Sequence, residues 1–258
     1  MRVLHMSGAG NDFAVIDARG LDLDFSKLAL ELCAKLGADG FMAIDRSEIA
    51  EFKLHFYNSD GSRGEMCGNG ARCICKFAYD LGIVGKEMLV QTDAGLVPGW
   101  HLAADRYRVK LNNPGVLDLN RTEEAAYVEL GTPGVPHSVT EIPGLAFDQK
   151  QALLEKAKEL RFHPAFPKGV NVNFYTWLDP ATIRILTYER GVEDYTLACG
   201  TGCGSTAVTL WTKGKLPGGV LTAHNEGGTL TVTVSGKDGQ VEELFLEGPA
   251  EVLKEYEL

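Results

Sequence analysis

The chain has 258 residues, of which 45% are apolar and 23% charged, the proportions of a folded globular protein and not of a disordered one. Its 25 Lys and Arg stand against 35 Asp and Glu, and the resulting charge of −10 argues against nucleic-acid binding through neutralised phosphates. No apolar run approaches the roughly 18 residues that span a bilayer, and the N-terminus has no signal-peptide core, so no membrane is expected and the expected location is the cytoplasm.

The elements follow in chain order. Arg2 to Met6 and Asp12 to Asp17 read as short strands separated by Ser7-Gly8-Ala9-Gly10-Asn11. Ser26 is placed to cap a helix over Lys27 to Leu36, with Leu28, Leu32, Cys33 and Leu36 on one face and Gly37 as its stop. Phe52, Leu54 and Phe56 alternate with Lys53, His55 and Tyr57 in a half-buried strand that ends at Asn58-Ser59-Asp60-Gly61. A helix is expected from near Gly68 to about Leu81, then strands at Glu87 to Thr92 and Arg106 to Leu111. Asn112-Asn113-Pro114-Gly115 is the expected domain boundary. Beyond it, strands are expected at Ala126 to Leu130 and His137 to Ile142, and a helix at Asp148 to Leu160. Further strands follow at Val170 to Thr176 and Thr182 to Tyr188, a helix at Gly200 to Thr212, and strands at Val220 to His224, Thr229 to Val234 and Val241 to Glu247.

Two segments repeat. Tyr57-Asn58 and Tyr188-Glu189 each lead through a glycine-bearing turn to Cys-Gly-X-Gly and a helix, and Cys67-Gly68-Asn69-Gly70 precedes Cys199-Gly200-Thr201-Gly202 by half the chain. One unit duplicated and fused is the simplest explanation. Neither glycine run is a dinucleotide fingerprint, since Cys73 and Ser205 stand where a third Gly or Ala belongs. The six cysteines are too few for a disulfide scaffold and their spacing fits no zinc motif. Cys73, Cys75 and Cys203 fall inside the helices and read as core filling.

A cysteine just before a helix start faces unpaired N–H groups and the positive end of the helix dipole, both of which favour thiolate. The glycines after it leave amides free for a carboxylate. Two such sites suit inversion of an amino-acid Cα without a cofactor: one thiolate removes the proton and the opposite thiol returns one. Arg190 suits a carboxylate and Glu189 an ammonium. The same residues leave open a dithiol redox protein.

The run from Asn58 through Cys67-Gly68-Asn69-Gly70-Ala71-Arg72 and that from Tyr188 through Cys199-Gly200-Thr201-Gly202 resemble the two signatures of the diaminopimelate epimerase family. Gly8-Ala9-Gly10-Asn11-Asp12-Phe13 is similar to that family's N-terminal loop. The resemblance implies an α+β fold of two pseudo-symmetric domains, each a mixed β-barrel or sheet wrapped around a central helix. The domains would be residues 1–113, closed by 248–258, and residues 114–247, with the active site in the cleft between them. It implies epimerisation of LL- to meso-diaminopimelate in lysine and peptidoglycan precursor biosynthesis, with a small-molecule substrate, neither PLP nor a metal, and room for a homodimer. Carried over by position, Cys67 and Cys199 are the acid–base residues, while Asn11, Asn58, Asn171, Glu189 and Arg190 bind substrate through side chains. Gly68, Asn69, Gly200 and Thr201 cradle the carboxylate, and His137 and Glu189 tune the thiols. Val135 stands where some members have a substrate-binding Asn, and Gly40 where some have Gln, so a proline- or hydroxyproline-type racemase or epimerase of the same mechanistic class stays open.

Overall fold

The computed structural model describes residues 1–64 and 67–257, so Met66 of the first cysteine signature and Leu258 of the C-terminal segment lie outside the described residues. Chain contacts divide the protein into two units, Met1–Lys110 with the chain from Glu247 on, and Leu111–Leu246.

The first unit contains β1 (Arg2–Ser7), β2 (Asp12–Asp17), α1 (Phe25–Leu36), β3 (Gly40–Asp45), β4 (Phe52–Asn58), α2 (Gly68–Asp80), β5 (Glu87–Thr92), β6 (Gly95–Ala103) and β7 (Arg106–Lys110). Going from β1 to β6, neighbours pair antiparallel, parallel, antiparallel, parallel and antiparallel. The second unit begins with β8 (Pro114–Asp118), β9 (Ala126–Gly131), β10 (Gly134–Glu141), α3 (Lys150–Arg161), β11 (Asn171–Asp179) and β12 (Thr182–Glu189). It continues through β13 (Asp194–Thr196), α4 (Gly200–Thr212), β14 (Val220–Asn225), β15 (Gly228–Lys237) and β16 (Gln240–Pro249), whose residues from Glu247 on belong to the first unit. From β9 through β10, β11, β12 and β14 to β15 the same alternation recurs, starting antiparallel and ending antiparallel. The last strand, β17 (Glu251–Glu257), pairs antiparallel with β1. The fold is thus α+β, and the internal repeat read from the two cysteine motifs extends to the order of strand pairings.

In each unit one helix is enclosed and the other lies outside. α2 packs against β1, β2, β3, β6 and β7, and α4 against β8 to β11, β14 and β15. Almost every residue of both is buried, including Cys73, Cys75 and Cys203, which fill the core as expected. Their sequences are weak helix formers, because each interior Gly costs about 1 kcal/mol relative to Ala. The enclosing strands explain that choice: a Cβ on Gly204 would lie 2.8 Å from Leu111 Cδ1, and one on Gly70 would lie 3.0 Å from Met42 Sδ. Only a helix with small residues on those faces fits. α1 and α3 instead pack one apolar face on the outside of the sheets, α1 through Ala29, Leu32 and Cys33 and α3 through Ala157 and Leu160.

Several boundaries differ from expectation for local reasons. Asp24, not Ser26, caps α1, its carboxylate accepting from Lys27 N at 3.1 Å, while Ser26 Oγ donates to the Gly61 carbonyl at 2.8 Å. α3 starts at Lys150 after a single 3-10 turn over Phe147–Gln149. β3 escaped notice because Gly40 to Ile44 are all buried and therefore show no alternation. β6 escaped because it contains Pro98 and Gly99, yet Gly99 is needed where a Cβ would sit 2.7 Å from Cys75 Sγ. Pro114 begins β8, opposite Leu130 and Gly131 of β9 at a register shift. Asp24→Ala is expected to lower stability to urea by about 1 kcal/mol, with Ser26→Ala costing less.

Candidate active site

Cys67 and Cys199 occupy the same position in their units. Each is the N-cap of its enclosed helix with extended backbone, and each is followed by a helix that begins on glycine, Gly68 and Gly200. Gly68, Asn69, Gly200 and Thr201 form the first turns of the two helices.

In the first unit, Asn11 follows the Ser7–Gly10 loop and reaches Cys67: its Oδ1 accepts from the Cys67 thiol at 3.5 Å. Asp39 fixes the direction of that amide. A carboxylate only accepts, so Asn11 Nδ2 must face it, at 2.6 Å, which leaves Oδ1 for the sulfur. Asp39 takes the Asp12 N–H as well, at 2.9 Å. Gly8 lies against α2, where a Cβ would be 2.8 Å from the Asn69 carbonyl oxygen. Asn58 sits exposed at the end of β4, donating to Ser62 Oγ at 2.9 Å. Arg72 is fully buried one turn into α2 and donates to the Gly68 carbonyl and to Asn69 Oδ1, both at 3.1 Å, and to the Pro249 carbonyl at 3.3 Å.

In the second unit the gathering is tighter. Cys199 is buried, accepts from the Gly202 N–H at 3.3 Å and lies 3.5 Å from Thr201 Oγ1. Burial pushes its thiol well above the usual cysteine value, and the Glu189 carboxylate pushes in the same direction. The Thr201 hydroxyl and the Gly202 amide oppose them without prevailing. Desolvation of the buried sulfur therefore prevails over the Thr201 and Gly202 donors at the helix start, where the sequence argument expected thiolate to be favoured. Glu189 accepts from Thr196 Oγ1 at 2.9 Å. Arg190 is joined to Asn171, whose Oδ1 accepts its backbone N–H at 2.8 Å, and its guanidinium donates to the Lys168 carbonyl at 3.0 Å. Asn171 Nδ2 lies 3.5 Å from His137 Nε2. Burial, with Arg190 as a second cause, holds His137 down at about 3, so it is a neutral imidazole at pH 7.

Among the described residues no three His, Cys, Asp or Glu side chains are gathered as a metal ion would require, and no helix is long and apolar enough to cross a membrane. A family model described as diaminopimelate epimerase matches residues 3–113 and 131–253. The chain belongs to the diaminopimelate epimerase family. A diaminopimelate epimerase of Aquifex aeolicus is 38% identical over 96% of this chain and 94% of its own length. One of Flavobacterium psychrophilum is 36% identical over 99% of both. Among solved structures, a hydroxyproline epimerase from Agrobacterium vitis superposes with a TM-score of 0.74 at 17% identity, covering 100% of this chain and 90% of that one. A PhzF-family phenazine biosynthesis protein from Bacillus anthracis does so with 0.71 at 14%, over 100% and 98%. At those identities the likeness is one of fold, and diaminopimelate epimerase membership rests on the sequence relatives.

Four residues that support the motifs were not singled out from sequence: Asp39, Arg72, Asn173 and Thr187. Arg72 stood inside the first signature, and a charged residue in a helix of small ones is its signal. Asn173 is completely buried, donates to the Ser138 carbonyl at 2.8 Å and lies 3.2 Å from His137 Nδ1.

His137 sets a pH dependence. Between its folded value of about 3 and its ordinary value of 6.5, the unfolded chain binds a proton that the folded chain does not. Acidification through that window therefore favours unfolding, and the full stability contribution is present above pH 6.5. The stability advantage of the wild type over His137→Gln, read from urea midpoints, is expected to shrink steadily as pH falls from 7 to 5; an unchanged difference would show that His137 is not held neutral.

Proposed function

We propose that this protein interconverts LL- and meso-2,6-diaminopimelate without PLP, by two-base proton transfer at Cα in lysine and peptidoglycan precursor biosynthesis. One observation carries the reading. Two units with the same order of strand pairings each present a cysteine as the N-cap of an enclosed, glycine-started helix, in a chain of the diaminopimelate epimerase family. A single helix-start cysteine would suit a nucleophile. A matched pair suits inversion, because the two faces of one carbon each need a proton carrier.

The chemistry follows from the environments. For the substrate whose Cα–H faces Cys67, Cys67 acts as the base once its thiol proton, held by Asn11 Oδ1 in this structure, has been given up. Cys199, whose thiol is pushed up by burial and Glu189, enters as the acid. Cys67 takes that proton, the electron pair stays on Cα and its carboxylate, and Cys199 gives its proton to the other face. Sulfur charges have then exchanged, and the reverse reaction starts from that state. The carbanion needs its charge met as it forms. Gly68 and Asn69, with Gly200 and Thr201, supply helix-start amides for the carboxylate. Glu189 and Arg190, with Asn11, Asn58 and Asn171, supply polar groups for the rest of the substrate. His137, neutral, contributes hydrogen bonding and no charge. The net charge of −10 and the absence of a membrane-crossing helix among the described residues fit work in the cytoplasm.

A related reading is epimerisation of proline or hydroxyproline, for which the shared fold with a hydroxyproline epimerase is the supporting observation. Cα–deuterium wash-in in heavy water with no added PLP separates them: diaminopimelate exchanges under the main reading, hydroxyproline under the other. Cys67→Ala and Cys199→Ala are each expected to abolish epimerisation. Full activity in either variant refutes the two-base scheme.

A further inference from the structure

We propose that Asn173 is a positioning residue for Cys199: it seats the first turn of α4 through Gly202 and so aims the Gly202 N–H at the cysteine sulfur. The importance of that aim for turnover rests on the reading of Cys199 as a proton carrier; the seat itself is a matter of packing and hydrogen bonding.

Strand register puts the parts of the seat side by side. Asn173 on β11 pairs directly with Thr187 on β12, and on the other flank β11 runs parallel to β10, with Asn171 opposite His137. Side chains on one face of a strand recur every second residue, so Asn171 and Asn173 share a face with each other and with their partners. That face looks onto α4, since a Cβ added to Gly202 would overlap Asn173 Oδ1 and lie 3.0 Å from Thr187 Oγ1. The opposite face, with Val172, Phe174, Leu186 and Tyr188, belongs to the apolar cluster under α3.

The Asn173 amide has only one orientation open to it. Its Nδ2 faces two backbone carbonyls, Ser138 at 2.8 Å and Asn171 at 3.3 Å, neither of which can donate. Its Oδ1 is therefore turned toward α4 and accepts the Thr187 hydroxyl at 3.0 Å. Three neighbouring strands thus lock a fully buried amide whose oxygen forms the floor beneath Gly202. The same orientation brings Nδ2 within 3.2 Å of His137 Nδ1. Gly202 in turn donates its N–H to Cys199 Sγ at 3.3 Å. A rigid polar floor, a glycine resting on it and a sulfur receiving that glycine's proton form one continuous chain of contacts.

The first unit builds the equivalent place differently. Gly70, the counterpart of Gly202, rests on Met42 Sδ and the Phe13 ring, with no polar floor. Asn173 accordingly has no role in the first unit, and disturbing it should be felt at Cys199 alone.

The test is a double-mutant cycle on Asn173→Ala and Gly202→Ala in the full chain. It is read by Cα–deuterium exchange with diaminopimelate and by the pH midpoint of iodoacetamide modification at each cysteine, located by peptide mapping. Asn173→Ala is expected to lower kcat about 10- to 100-fold, as a misplaced reacting group does. KM should stay within about twofold. The Cys199 midpoint should move upward as its aligned donor is lost, with the Cys67 midpoint unmoved. Gly202→Ala, which forces a methyl onto Asn173 Oδ1, is expected to lose more activity, and adding Asn173→Ala to it to restore part by opening room. Thr187→Val removes only the hydroxyl that holds Asn173 Oδ1 and is expected to move the Cys199 midpoint the same way by less; it carries the test should the alanine variant not fold. Multiplicative effects with no coupling overturn the proposal, as does a Cys199 midpoint that stays put or moves equally with that of Cys67. Modification needs no substrate, so the two readings fail differently: if diaminopimelate is not the substrate the wild type shows no exchange, whereas if the seat is not real the wild type exchanges and the midpoint does not respond.

Discussion

The enclosure of a small-residue helix by strands is the constraint on which the rest depends. A Cβ on Gly204 of α4 would crowd Leu111 and Leu130, and one on Gly70 of α2 would crowd Met42, so glycine, alanine, serine and cysteine take positions that propensity alone would give to larger residues. Burial on nearly all sides offsets the cost of those glycines. The requirement also explains the first residue. The residue at each helix start is a cysteine with extended backbone, and the Cys199 sulfur accepts the first-turn Gly202 N–H. Site and core are in this sense one construction, since the glycines that admit the helix are those that expose the amides.

The two junctions are alike in backbone and unlike in what supports them. Around α2 the buried polar group is carried by the helix: the Arg72 guanidinium ties down the Gly68 carbonyl, the Asn69 side chain and the Pro249 carbonyl. A buried guanidinium is costly unless its donors are met, and here backbone and amide oxygens meet them. Around α4 the corresponding helix position is Gly204, packed on leucines, and the buried polar groups come instead from the strands, Asn173, Thr187 and His137. A cation stands behind one cysteine's helix and a carboxylate, Glu189, beside the other cysteine.

Asn11 illustrates how a site residue can serve two ends. Its side chain holds the Cys67 thiol, and Asp39 holds its side chain. A polar group so anchored loses little further conformational freedom in holding that geometry.

The amino-acid sequence by itself determined the elements with strong local signals and the identity of the cysteines. α4 was legible to the residue from its glycine start, and the paired Cys-Gly-X-Gly runs pointed to a duplicated unit before any strand pairing was known. Strands without alternation, such as β3, or with proline and glycine, such as β6, were not legible, because their residues answer to neighbours far along the chain. Only the tertiary structure decided the protonation of Cys199. The helix start is a local feature and favours thiolate, whereas desolvation and the nearness of Glu189 arise from burial and strand register, and they prevail. The same holds for Asn173, which in the sequence is one of two asparagines on a strand. Register across β10, β11 and β12 sets its amide under Gly202, and no local pattern encodes which of two alternate residues will face a helix supplied by another part of the chain.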